Sequence, residues 1–391
     1  MNLAFFVIFI VFAISFFGYF EITLPASWVN RMDQNANKAG GVIGIFFMAF
    51  TLALVSFSCT GPILGSLLAG AITSTGGPMQ LTAGMGGFGL ALALPFALFA
   101  LFPGWLNSLP RSGSWLNSVK VVLGFVEVAL AFKFLSTADL VSHWGILPYE
   151  VFLAIWVLCA LGIVIYLLGK LRFPHDSPVK RLSPARWGFT AFFAVAVAYL
   201  LMGFRYDEHA GTFSSPKLLS GLAPSAGYSW IHPSQCPHGL ECYHDLCEAM
   251  DVARNTGKPL LVDFTGYGCV NCRKMEEYVW SAPGVFELIR DKYVLVSLYV
   301  DDRAPLSKEE QHIFENASGV KKLIVTKGDH WTTLENETFQ KLSQPWYALL
   351  TPDLQLLNQP TGSGTFSVAE YKAFLECGLQ GMAQVNARAA R

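Results

Sequence analysis

Charge is divided very unequally along this 391-residue chain, and that division limits its fold more than any single motif does. Residues 1–204 hold 10 Lys and Arg and 6 Asp and Glu, whereas residues 205–391 hold 17 and 22. A soluble protein is about one quarter charged; here 14% of residues are charged and 53% are apolar. The first part is too poor in charge to make a water-soluble globule, and the second has an ordinary soluble composition. So high an apolar content argues against a disordered chain. A formal net charge of −1 argues against a nucleic-acid binder. The reading is therefore a membrane domain over 1–204, a Gly-, Ser-, Pro- and Ala-rich linker over 205–228, and a soluble domain over 229–391.

Hydropathy predicts about six spans, near 3–24, 42–72, 81–102, 118–136, 149–170 and 187–204, each close to the roughly 20 residues a bilayer requires. The first lacks a basic leader and a small-residue cleavage site, so it reads as a retained span. Lys and Arg set the orientation. Arg31 and Lys38 follow the first span, Arg111 and Lys120 the third, and Lys170, Arg172, Lys180, Arg181 and Arg186 the fifth. The alternate loops, near 73–80 and 137–148, contain neither residue, although Lys133 sits near one edge. All the basic loops thus lie on one side, expected to be the cytoplasm, and the C-terminal domain is expected on the other.

Within the second span, Cys59-Thr60-Gly61-Pro62 breaks the helical pattern, since proline removes a backbone donor. Irregular backbone at membrane depth is tolerated only inside protein or beside a cavity. Cys59 is therefore a candidate membrane redox thiol. Cys159, in an unbroken apolar run, reads as a buried packing residue. Glu127, an acid within the fourth span, is either a functional group or a neutral, hydrogen-bonded packing residue.

After the linker, the pattern alternates between helix and strand. Residues 242–256 read as a helix, 260–264 as a buried strand, and Cys269-Val270-Asn271-Cys272 as the opening of a second helix. Val294–Val300 is the next strand. Tyr347–Leu350 and Leu354–Leu357 read as a hairpin around Thr351-Pro352-Asp353. Ser367 is expected to cap a final helix reaching about Gln380. A strand leading into C-x-x-C at a helix start marks a thioredoxin-like redox site. Cys269 sits where the helix terminus favours a thiolate and is the expected nucleophile; Cys272, one turn in, is the expected resolving thiol. Asp263 in the strand, and Glu276 one turn beyond Cys272, are candidate proton acceptors. Glu276 could equally be a solvated residue on the helix face. Pro345 is a candidate cis-proline beside the disulfide. Cys236, His238, Cys242, His244 and Cys247 match no zinc spacing, so neither metal nor other cofactor is expected. Cys236 and Cys242 are candidates for a local disulfide, with Cys247 or Cys377 buried and free.

These residues resemble the thiol:disulfide interchange protein DsbD family, which joins a CcdA-like cytochrome c biogenesis membrane domain to a thioredoxin-like domain. The likeness rests on Cys59-Thr60-Gly61-Pro62, on Pro110-Arg111-Ser112-Gly113-Ser114-Trp115 before a span, on Asp263, Cys269-Val270-Asn271-Cys272 and Glu276 in that order, and on Gln344-Pro345 at the family's cis-proline position. It implies a multi-pass protein of the bacterial inner membrane with its C-terminal domain in the periplasm. Cytoplasmic thioredoxin would be the electron donor, and periplasmic disulfide isomerases and the cytochrome c maturation route the acceptors. Gln344 and Pro345 would contact substrate. The family's membrane domain uses two cysteines, and Cys59 matches only the later one; the chain is expected to begin at the third family span. A membrane scaffold with a redox-inert thioredoxin-like module, or a transporter with a tethered sensor, are the alternatives.

Overall fold

The structure, a computed structural model, describes residues 2–20, 77–101, 114–174, 176, 182–208, 210–315, 319, 321–362 and 367–389. Cys59 and the span expected over 42–72 lie outside the described residues, as do Pro110 to Gly113. Chain contacts divide into two units, one of Met1–Val7, Val128–Lys170 and Leu182–Arg391, the other of Ile8–Glu127 and Leu171–Arg181.

The apolar half forms helices α1 (Asn2–Phe16), α2 (Gly77–Leu101), α3 (Ser114–Ser142), α4 (Tyr149–Leu167) and α5 (Pro184–Leu201). Among the described residues, three stretches are long and apolar enough to cross a bilayer: Asn117–Ser142, Tyr149–Leu167 and Pro184–Phe204. The expected first span is shorter than 3–24. α1 ends at Phe16 because Gly18 takes a left-handed φ of 84° and its N–H returns to the Ser15 carbonyl. Its 15 residues reach only about 22 Å, against roughly 30 Å of hydrocarbon.

In the second unit, Phe17 stacks on Phe173 at 4.8 Å, and Asn117 Nδ2 donates to Asp176 Oδ1 at 2.7 Å. In the first unit, α4 and α5 pack side by side, joined at one end by Arg186. Its guanidinium donates to the Leu167 and Tyr166 carbonyls, at 2.6 and 3.1 Å, satisfying the C-terminal end of α4. At the end of α3, Asp139 accepts hydrogen bonds from Ile146 N, Leu147 N and the Tyr228 hydroxyl. Residues 205–228 are folded onto these helices. β1 (Tyr206–Asp207) pairs with β2 (Thr212–Phe213), and Phe213, Leu219 and Ala223 share a core with Leu147, Tyr149, Phe152 and Leu200.

The soluble part is a five-stranded sheet in the order β3 (Cys242–Tyr243), β5 (Val294–Tyr299), β4 (Leu260–Thr265), β8 (Trp346–Leu350), β9 (Thr361–Gly362). The first three run parallel, β8 runs antiparallel to β4, and β9 runs antiparallel to β8. All six residues of β4 are buried, which is why that strand reads as one apolar run. Leu260, Val262 and Phe264 face one core with α6 (Leu246–Thr256) and with Trp331 of α9 (Lys327–Phe339). Leu261 faces the other, with Met275, Trp280, Ile289, Tyr371 and Leu375. These come from α7 (Val270–Met275) and its continuation to Trp280, α8 (Phe286–Lys292) and α10 (Val368–Ala389). A two-stranded ribbon of β6 (His312–Glu315) and β7 (Lys321–Ile324) precedes α9.

Three local expectations need correction. The helix expected from 242 starts at Leu246, because Tyr243 pairs with Val296 and Asp245 caps the helix by accepting from Glu248 N at 3.0 Å. The expected hairpin partner of β8 is a single bridge, Leu350 to Leu356, with Leu354 at a left-handed φ of 63°; β9 takes the edge instead. The final helix does start after Ser367, with reciprocal Ser367–Glu370 capping bonds, but runs on to Ala389.

Candidate functional site

Cys269 stands at the N-cap of α7, and its sulfur accepts from the Cys272 N–H at 3.1 Å. The two are joined as a disulfide with Cα atoms 5.3 Å apart. Cys269 is half-buried and Cys272 is 1% exposed, so a partner can reach only the first sulfur. The loop between β4 and α7 is held from behind by Asp301, whose carboxylate accepts from Tyr267 N at 2.8 Å and Gly268 N at 2.9 Å. Gly268 packs closely on α3: a Cβ there would lie 3.1 Å from Thr137 Cγ2, so that side chain would have to shift. Tyr267 stacks on Tyr299 at 4.1 Å and meets His143 edge-on at 5.4 Å. His143 is in turn 2.7 Å from Asp302, and Arg303 N donates to the Val141 carbonyl. Gly221, at a φ of +76°, closes over Val270; a Cβ there would come within 2.5 Å of Val270 Cγ1. The segment 205–228 thus covers part of the rim of the disulfide.

Beneath the disulfide lies a buried polar cluster. Asp263 is 1% exposed, and among the described residues neither carboxyl oxygen has a hydrogen-bond partner. Burial raises its pKa well above the carboxylate range; Glu276 adds to the effect and Arg273 opposes it. Glu276 is buried rather than solvated, 2.7 Å from the Arg273 guanidinium. Burial raises it and Arg273 opposes, leaving it at about 7. His238 Nε2 lies 2.8 Å from the Glu276 carbonyl and, with its pKa lowered by burial, is the neutral donor. Tyr347 and Tyr371 are buried over Asp263, and Trp280 Nε1 donates to the Tyr371 hydroxyl at 3.1 Å. The Gln344–Pro345 bond is cis, immediately before β8, the strand that pairs with β4.

Arg273, Tyr299 and Asp301 were not anticipated. Arg273 could have been found from its i,i+3 spacing to Glu276; nothing local marks the other two, which come from the C-terminal end of β5 and the residues just after it. Glu127 is buried on α3, and its Oε2 lacks a hydrogen-bond partner among the described residues. Cys159 is buried and free.

Cys236 and Cys242 form a second disulfide, with Cα atoms 5.9 Å apart. Their sulfurs and His244 lie within 4.8 Å of one another, but each sulfur is committed to the other. Cys247 and Cys377 are free and exposed, correcting the expectation that one of them is buried. Cys247 lies in the first turn of α6, a helix whose buried face is built from Ala249 and Ala253.

With the geometry in view, comparison with known proteins is direct. Residues 1–138 match the family described as cytochrome C biogenesis protein transmembrane domain, and 241–352 match the one described as thioredoxin-like. Among curated relatives, the thiol:disulfide interchange protein DsbD of Ralstonia nicotianae is 27% identical over 313 residues, covering 78% of this chain and 48% of its own. DsbD of Actinobacillus pleuropneumoniae serotype 5b is 30% identical over 297 residues, 74% of this chain and 44% of its own. The chain is similar to the DsbD family over most of its length. DsbD 1 of Pseudomonas aeruginosa is 29% identical over 286 residues, 71% and 44% of the two chains. The chain therefore spans less than half the length of these DsbD relatives.

Proposed function

We propose that this chain is a membrane-anchored protein-disulfide reductase whose exchange centre is Cys269 and Cys272. In the reduced state, the Cys269 thiolate attacks one sulfur of a partner disulfide, and the partner's other sulfur leaves as a thiolate. Cys272 then attacks the Cys269 sulfur of the mixed disulfide and releases the second partner thiolate. The Cys269–Cys272 disulfide closes, and two electrons have passed to the partner. Glu276, poised near neutrality, takes the proton of Cys272, while neutral Asp263 keeps a second negative charge away from the thiolate. Gln344 and Pro345 form the surface on which the partner's backbone lies.

The observation that carries this reading is the accessible Cys269 sulfur at a helix N-cap, paired with a fully buried Cys272 that lies one helical turn from the buried Glu276, after the strand that carries the buried Asp263. The distribution of Lys and Arg supports an extracytoplasmic redox domain, divided from the membrane part near residue 204 and from the covering segment near 228. The family supports thioredoxin on the cytoplasmic side as donor and extracytoplasmic disulfide proteins as acceptors, in the bacterial inner membrane, with Cys59 as a membrane redox thiol. The test is thiol trapping. A Cys272→Ser chain in native membranes should accumulate mixed disulfides that vanish on further substitution of Cys269. No trapped species from Cys272→Ser, together with no exchange by the parent chain, overturns the proposal.

A further inference from the structure

The buried cluster contains one group for which a C-x-x-C centre has no obvious need: a cation. Arg273 directly follows the resolving cysteine, and its side chain is 10% exposed. Leaving a guanidinium in such a place is costly unless it is paired, and removing its partner is costlier still. It is held by the ion pair with Glu276 Oε1 at 2.7 Å, and it interacts electrostatically with the Tyr299 hydroxyl. Its own N–H donates to the Cys269 carbonyl at 3.2 Å, which fixes its backbone one turn from the disulfide. Tyr299 is anchored by its stack on Tyr267, so the clamp is continuous with the cysteine loop.

Two acids and one cation share this space, and only one carboxylate can be compensated. Glu276 has the contact and Asp263 has none, which sorts them into an ionisable and a neutral acid. On the basis of the reductase reading above, we propose that Arg273 is a positioning residue for thiol–disulfide exchange: its ion pair holds Glu276, one helical turn from Cys272, as the base for the resolving step. Without the guanidinium, burial alone acts on Glu276 and keeps it protonated, unable to take the proton of Cys272.

The other charged and titratable groups around the pair do not substitute for Arg273. Asp263 on β4 and Tyr347 on β8 are buried acids on the inner side. A cavity of about 330 Å³ is lined by Glu277, Asp207, Lys217 and His238 together with Arg273 and Glu276. His238 is engaged by the Glu276 carbonyl, Ser215 donates to Glu277 at 3.0 Å, and the Lys217 ammonium lies over the Tyr278 ring. Asp301 is committed to Tyr267 N and Gly268 N, and Lys133 of α3 bears the same charge as Arg273.

The experiment uses the full chain in detergent, reduced, freed of reductant and mixed with a disulfide-bonded peptide. Rapid quenching then separates attack by Cys269 from resolution by Cys272 between pH 5 and 9. Arg273→Met should slow resolution at pH 7 by about tenfold, the fall in ionised Glu276 that goes with each pH unit of upward shift. It should also move the acid limb of the resolution profile at least one pH unit upward, with attack changed far less. Arg273→Lys should restore most of the rate. Glu276→Gln should slow resolution and abolish the limb, and the double variant Arg273→Met/Glu276→Gln should be no slower than Glu276→Gln alone. A purely structural arginine would lower the yield of folded protein and leave the limb in place. If Arg273→Met and Arg273→Lys keep the parent profile, or if the two losses multiply in the double variant, Arg273 does not act through Glu276. The reductase reading fails by a different result, unchanged exchange in Cys269→Ser.

Discussion

Glu276→Gln gives the sharpest thermodynamic prediction. In the folded chain, burial outweighs Arg273 and brings the Glu276 carboxyl from its ordinary 4.5 to about 7. A raised acid pKa means that the native state holds a proton which the unfolded state has already released. Stability from this group is therefore fully present below pH 4.5 and is lost as the pH rises through 7. Each pH unit between the two values is worth 1.36 kcal/mol, so the loss over that window amounts to about 3 kcal/mol. Glutamine cannot titrate and should remove this slope. It also leaves Arg273 without its partner, which lowers stability at every pH, so the slope and not the offset is the test. The assay is amide hydrogen exchange of the oxidised full chain in detergent, read on peptides from β4 and β8 and corrected for intrinsic rates. Those strands are buried at the centre of the sheet and report its largest openings. The parent should lose protection between pH 5 and 7.5, and Glu276→Gln should lose markedly less. Equal slopes in the two proteins would refute the assignment of a neutral-range proton to Glu276.

Other predictions concern the frame around the site. Replacing both Cys236 and Cys242 with Ser opens a bridge of sequence separation 6, which should cost about 2 kcal/mol by loop entropy. Thermal unfolding should show that loss while the exchange rate of the Cys269–Cys272 centre stays near the parent's. Asp139→Ala removes acceptors for Ile146 N, Leu147 N and the Tyr228 hydroxyl, two of them backbone donors. It should cost about 2 kcal/mol or more and speed proteolysis within 205–228, measured by limited digestion. Gly328→Ala sets a Cβ at 2.5 Å from the Asp302 carbonyl oxygen and 2.7 Å from that of Val300, both backbone atoms. About 1–3 kcal/mol of destabilisation is expected in the same thermal assay.

Much of the soluble domain was legible because its signals are local. The run Leu260 to Phe264, the C-x-x-C after a glycine turn and the Ser367 cap each depend on a few adjacent residues. What escaped depends on pairing across the fold. Tyr243 looks helical beside Leu246 and Cys247, yet it joins β5, and the true helix signal is Asp245 with Glu248 three residues on. Leu354 to Leu357 alternates like a strand, but its return to β8 is used up in one bridge. Tyr299 and Asp301 reach the cysteine loop only because β5 lies beside β4, a register that no local pattern contains. Residues 205–228 have the composition of a loose connector, but Phe213, Leu219 and Ala223 supply enough apolar surface to seat it. Among the described residues of the membrane half, the helices Asn117–Ser142, Tyr149–Leu167 and Pro184–Phe204 are legible from hydropathy, whereas the end of α1 turns on one glycine conformation.

The proposed role of this chain is to carry reducing equivalents on Cys269 and Cys272. The most direct measurement is stoichiometric transfer. A Cys236→Ser/Cys242→Ser chain is reduced, stripped of reductant and mixed with excess disulfide-bonded peptide, and peptide thiols are counted over time. One peptide disulfide opened per chain, with closure of Cys269–Cys272 in step and no transfer from the further Cys269→Ser variant, is the result predicted. Undiminished transfer from that Cys269→Ser variant would contradict the account.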